Sequence, residues 1–187
     1  MSKKSVTMGR KGIPVKAISY IALLTAVAAI CNIFTVLVGI GNSFAISFSY
    51  IPCFISGAFF GPLAGFLTGM LGDLIGILIA PKGDFNPIIM LGSSFLGLIP
   101  GVVFFVARRI SRKNFNYALP TIISFILVFL ISTNINTLGL YLFYFRGAGK
   151  SLQAVYALRL PKQLIVWSSS LIICLILVKP VARLLKA

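Results

Sequence analysis

Apolar residues fill six long stretches of this chain, at 13–40, 44–60, 63–80, 87–107, 118–145 and 160–185. A helix needs roughly 17 to 25 such residues to cross the hydrocarbon core of a bilayer, so each stretch predicts one crossing. The breakers between them are short: Gly39-Ile40-Gly41-Asn42, Gly61-Pro62, the segment 81–86, a basic stretch after 107 and a glycine-rich loop after 145. The pattern predicts an all-α membrane protein, a compact six-transmembrane-helix bundle forming one integral membrane domain over residues 1–187. The first stretch is too long for the apolar part of a signal peptide and leads into more hydrophobic sequence, so it reads as a retained helix.

Composition strengthens this picture. The chain is 59% hydrophobic and carries 17 Lys and Arg against two acids, Asp73 and Asp84, for a net charge of +15. A soluble nucleic-acid binder can share that charge but not a mean hydropathy of +1.06. Twelve basic residues, Lys3, Lys4, Arg10, Lys11, Lys16, Arg108, Arg109, Arg112, Lys113, Lys179, Arg183 and Lys186, fall on one side of a six-span chain. The positive-inside rule makes that side, with both termini, cytoplasmic. The other five, Lys82, Arg146, Lys150, Arg159 and Lys162, then face outward, where only Asp84 is available to pair with them. Charge placed against the topological bias points to an anion held there, by Arg146, Lys150, Arg159 and Lys162 around the loop before the last span. The plainer alternative is that these side chains snorkel to the interface and anchor helix ends.

Within the spans, Gly61, Gly65, Gly69, Gly72 and Gly76 form a ladder that predicts close helix packing, repeated at Gly97 and Gly101. Ala22 and Ala26 make a small-xxx-small pair suited to packing either inside the bundle or against another subunit. Asp73 is the one acid expected inside a span, where a charge costs about 2.5 to 3.5 kcal/mol on insertion scales, so it needs a partner or a wet cavity. Asn134, Asn136 and Thr137 need partners too. Several functions lose support. There is no histidine, and Cys31, Cys53 and Cys174 lack metal-ligand spacing. One intramembrane acid is too few for a proton relay, and no nucleophile has a base beside it. Gly149-Lys150-Ser151 imitates the end of a phosphate-binding P-loop, but the required first glycine is Tyr144. What is left is a capture protein without cofactor or chemistry of its own, or else an autonomous small-solute facilitator.

Ile51-Pro52 through Phe60-Gly61-Pro62-Leu63-Ala64-Gly65, Gly69-Met70-Leu71-Gly72-Asp73-Leu74-Ile75-Gly76 and Leu98-Ile99-Pro100-Gly101 resemble helices two to four of the substrate-binding S components of energy-coupling factor (ECF) vitamin transporters. Asn136-Thr137-Leu138 and Arg159-Leu160-Pro161-Lys162-Gln163 are similar to the folate-type branch. Phe85-Asn86-Pro87-Ile88-Ile89 departs from the aromatic-Pro-Gly-Phe-Thr run of that branch, and the Ile-Pro and Phe-Gly-Pro stretch is shared with riboflavin-type members. The resemblance implies a multi-pass protein of the bacterial cell membrane that captures a vitamin at its outer face. It also implies partners: a membrane coupling subunit, contacted through Ala22 and Ala26, and two cytoplasmic ATPases that use the ATP. With folate or a reduced folate as ligand, Arg146, Lys150, Arg159 and Lys162 would meet the glutamate carboxylates. Asp73 or Asn136 would accept from the pterin, Phe85, Tyr141 or Tyr144 would stack on it, and Asn86 would belong to a ligand-facing loop. Riboflavin, pantothenate and a deazapurine are the competing ligands.

Overall fold

A computed structural model describes residues 15–37, 48–81, 85–110, 116–146 and 151–184. Among these the chain forms α1 (Val15–Leu37), α2 (Tyr50–Phe60), α3 (Pro62–Ile79), α4 (Pro87–Ile110), α5 (Ala118–Leu140) and α6 (Leu152–Leu184), with no strand. A π-helical turn, Tyr141–Phe145, continues α5, and the Arg146 N–H donates across it to the Tyr141 carbonyl at 2.8 Å. The all-helical expectation holds. Among the described residues five helices are long and apolar enough to cross a membrane, whereas α2 has 11 residues. Residues 44–47 of the second expected stretch lie outside the described residues.

The boundaries differ most at α6, which starts at Leu152 instead of 160 and runs through Pro161 and Pro180. A proline removes one backbone donor and usually ends a soluble helix. Membrane helices tolerate it where neighbours satisfy the freed carbonyl, so Pro161 marked no boundary. One consequence is that Arg159 sits on a helix and not in a loop.

Backbone contact among α2, α3 and α4 sets the geometry of the bundle. A methyl group added to Gly65 would strike the Gly97 carbonyl oxygen, one added to Gly97 would strike that of Gly65, and one added to Gly57 would also meet Gly97. The glycine ladder is therefore a three-helix crossing. Gly61, at φ 106°, joins α2 to α3 in a conformation that costs other residues strain, and Pro62 starts α3 where its missing N–H does no harm. Beside this crossing lies an aromatic core in which Phe54 meets Phe104 edge-on at 5.6 Å and Tyr50 meets Phe125 at 4.4 Å. α1 packs on α3 and α2, α5 on α4, and α6 closes the bundle against α5 and α2.

Ring contacts show which helix ends lie together. Tyr20 near the start of α1 stacks on Phe60 at the end of α2, Arg108 at the end of α4 lies over Phe59, and Tyr117 at the start of α5 adjoins Lys179 and Arg183 near the end of α6. Arg146 and Arg159 lie towards the other end, where α5 finishes and α6 begins. Among the described residues, the two basic sets separated by the sequence thus occupy opposite ends of the bundle.

Gly97→Ala is expected to overpack the crossing and lower stability by about 1–3 kcal/mol. Thermal unfolding of the purified chain in detergent measures this, with the exposed Leu130→Ala as a control that shifts the midpoint little.

Candidate functional site

At the end of the bundle where α6 begins, all six helices line a cavity of about 310 Å³. Its wall on α6 is Arg159, Gln163, Val166, Trp167 and Ser170, a single helical stripe. Eight residues at 1.5 Å each separate Arg159 from Trp167 by about 12 Å along that wall. Trp167 meets Tyr50 edge-on at 5.0 Å, so one end of the stripe is aromatic and the other cationic.

Asp73 of α3 also lines the cavity, and the buried Asn32 of α1 donates its amide to Asp73 Oδ1 at 2.8 Å. Space for this contact comes from glycine: a methyl group on Gly76 would meet the Asn32 side chain at 2.8–3.0 Å. Asn136 is seated in the same way, because Gly92 has no side chain to exclude its carboxamide. Asn136 Nδ2 donates to Ser132 Oγ at 3.2 Å, and that hydroxyl donates to the Gly92 carbonyl at 2.9 Å. Arg159 donates to Thr137 Oγ1 at 3.2 Å and has no carboxylate partner among the described residues. Burial pushes its pKa down from the ordinary arginine value, an effect that Tyr156 opposes. An arginine stays cationic regardless, so a positive charge with no carboxylate contact among the described residues shares the cavity wall with Asp73.

Many hydroxyls elsewhere are satisfied within their own helices: Thr25, Ser94, Thr121, Ser124, Thr137 and Ser168 each donate to the carbonyl four residues back. The cavity wall is different. Tyr50 Oη, Thr133 Oγ1, Asn136 Oδ1 and Gln163 Oε1 are buried and have no hydrogen-bond partner among the described residues. All four residues line the cavity. Buried polar atoms are normally paired, so a cluster of unpaired ones facing a common space is the arrangement of a binding site.

The candidates proposed from sequence separate into groups. Asp73, Asn136 and Arg159 come together in the cavity wall. Asn86 is buried in a structural role: its amide donates to the Gly139 carbonyl at 2.9 Å, and its Oδ1 accepts from the N–H groups of Ile88 and Ile89 at the start of α4. Phe85 beside it is 49% exposed, and neither Tyr141 nor the exposed Arg146 is among the lining residues. Lys150 lies outside the described residues, and so do the side chains of Tyr144 and Lys162. Ala22 and Ala26 are exposed on the outer face of α1, while Thr25 and Ala29 turn inward. Asn32, Tyr50, Thr133, Gln163 and Trp167 were missed. The spacing of Arg159, Gln163 and Trp167 at i, i+4, i+8 was the available signal, since it places the last span's charge, amide and indole on one face.

Residues 16–178 match the family described as "ECF transporter, substrate-specific component". The chain is 32% identical over 122 residues to a protein named Folate transporter FolT from Clostridium novyi (strain NT), a match that spans 65% of each chain. It also superposes on a solved structure titled "Crystal structure of FolT bound with folic acid" with a TM-score of 0.68 and 26% identity, over 85% of this chain and 90% of that one.

Tyr50→Phe removes a hydroxyl that bonds to no other group of the described protein, so stability should change by less than about 0.5 kcal/mol. Thr68→Val breaks the buried 2.7 Å bond between Ser56 and Thr68 and should cost about 0.6–1.7 kcal/mol. Thermal unfolding in detergent compares the two.

Proposed function

The chain belongs to the ECF transporter substrate-specific component family, and from that membership we propose that it captures folate or a reduced folate for uptake driven by ATP-hydrolysing partners. Membership places it among transport components and not enzymes, as a multi-pass membrane protein. The observation that carries the choice of ligand is the polarised wall of α6, with a guanidinium that contacts no carboxylate among the described residues at one end and an indole placed about 12 Å of helix rise further along. A folate has the matching form, a flat donor-rich ring at one end and a glutamate with two carboxylates at the other.

In this reading Arg159 meets a carboxylate with charge-assisted hydrogen bonds worth about 1.5–3 kcal/mol. Arg146, Lys150 and Lys162 raise the positive potential around the mouth. The pterin lies against Trp167 and Tyr50, and its amino and ring N–H groups donate to Asn136 Oδ1, Gln163 Oε1 and Asp73. Phe85, Tyr141 and Tyr144 belong to the segments that close over the ligand. The cavity opens outward in a bacterial cell membrane, α2 completes a six-span domain, and both termini are cytoplasmic. A membrane coupling subunit docks on α1 at Ala22 and Ala26, whose small side chains and exposure suit close helix approach, and two cytoplasmic ATPases supply the energy.

Trp167 is the sole tryptophan, so its fluorescence reports occupancy of the cavity directly. Arg159→Ala should weaken folate about ten- to hundredfold and pteroate, which lacks the glutamate, much less. Equal losses would make Arg159 structural, and tighter binding of riboflavin than of folate would replace the ligand. Ala22→Leu with Ala26→Leu should keep the fluorescence response while abolishing ATP-dependent uptake in reconstituted vesicles; loss of binding would move the pair into the fold.

A further inference from the structure

At the end of the bundle opposite the ligand cavity, Lys179, Ala182 and Arg183 of α6 and Tyr117 of α5 line a cleft of about 360 Å³. Lys179 and Arg183 are four residues apart and so share one helix face. Tyr117 also interacts electrostatically with Arg108, whose guanidinium lies over the rings of Phe59 and Phe104 at 5.7 and 5.9 Å. The cleft is thus the centre of a cationic end.

No carboxylate side chain among the described residues balances it. Of the two acids in the chain, Asp73 is bonded to Asn32 in the cavity at the other end. Asp84 lies outside the described residues. Aromatic faces offer a cation only a weak partial charge. Among the described residues this end thus has no acidic counter-charge, and an anion from outside can supply one. On the same two helices, Leu119 of α5 is 64% exposed and Ile176 of α6 66% exposed, so apolar surface lies within two or three residues of Tyr117 and Lys179 in sequence. An anion seated there has hydrocarbon along its approach, which suits a headgroup with acyl chains better than a free ion.

We propose that the cleft binds the headgroup of an anionic phospholipid, its phosphate held between Lys179 and Arg183 and its acyl chains lying along α5 and α6. Basic pockets between membrane helices recognise such headgroups, each cation adding to the attraction. Arg183 supplies a planar fork for two phosphate oxygens, and Lys179 supplies a point charge.

The test is native mass spectrometry of the purified chain in detergent doped with phosphatidylglycerol or phosphatidylcholine. The expected result is one tightly retained phosphatidylglycerol, with retention reduced about tenfold or more in Lys179→Gln/Arg183→Gln. Arg109→Gln should retain the lipid, because Arg109 lies over Phe105 and does not line the cleft. Phosphatidylglycerol should raise the thermal midpoint of the wild type and not of the double variant, whose fold is checked by circular dichroism; if that variant unfolds, Arg183→Gln alone is read the same way. Equal retention in wild type and cleft variants overturns the proposal, as does an equal loss in Arg109→Gln, which would reduce the effect to general surface charge. Displacement of the lipid by millimolar inorganic phosphate would also overturn it in favour of a free-anion site.

Discussion

In hydrocarbon a polar group has only protein to bond to, and this constraint orders the whole molecule. Along the helices it is met locally, with serine and threonine hydroxyls turned back onto their own backbones. Between helices it is met by a few specific bonds, such as Asn32 to Asp73 and Tyr156 to Asn134. Where neither solution is used, around Tyr50, Thr133, Asn136 and Gln163, the unpaired atoms surround a single cavity. The site is thus defined by what the rest of the fold has already satisfied.

Glycine gives this cavity its shape. Contact of α2, α3 and α4 through Gly57, Gly65 and Gly97 draws the bundle tight on one side. Further along the same helices, Gly72, Gly76 and Gly92 admit side chains of α1 and α5, Ala28, Asn32 and Asn136, that would otherwise be pushed away. A residue with no side chain therefore determines where the side chains of its neighbours can act, and a single methyl group at Gly92 would displace a wall of the binding space.

Much of this was readable from the sequence because hydrophobic runs in a membrane protein report helices directly. The segregation of charge and the close packing of the glycine ladder came from residue type and spacing, whereas the grouping of Asp73, Asn136 and Arg159, which line one cavity, came with the family resemblance. Other features are three-dimensional. Nothing local distinguishes Asn86, which caps α4 and reaches Gly139, from an asparagine that faces a ligand. Tyr50 reads as one more member of the apolar stretch 44–60, and its place in the cavity depends on how α6 crosses α2. The last span reads from 160 because an apolar run shows only the greasy part of a helix, and α6 begins eight residues earlier, in sequence that includes Gln153 and Arg159.

The bond from Asn86 to the Gly139 carbonyl joins the segment entering α4 to the last turn of α5, just before the π-helical turn. The same asparagine holds the first amides of α4 with its other atom, so the two chain segments are geared together. Phe85 and the Tyr141–Phe145 turn thus hang from a common anchor, and removing the one carboxamide of Asn86 would cut both tethers at once.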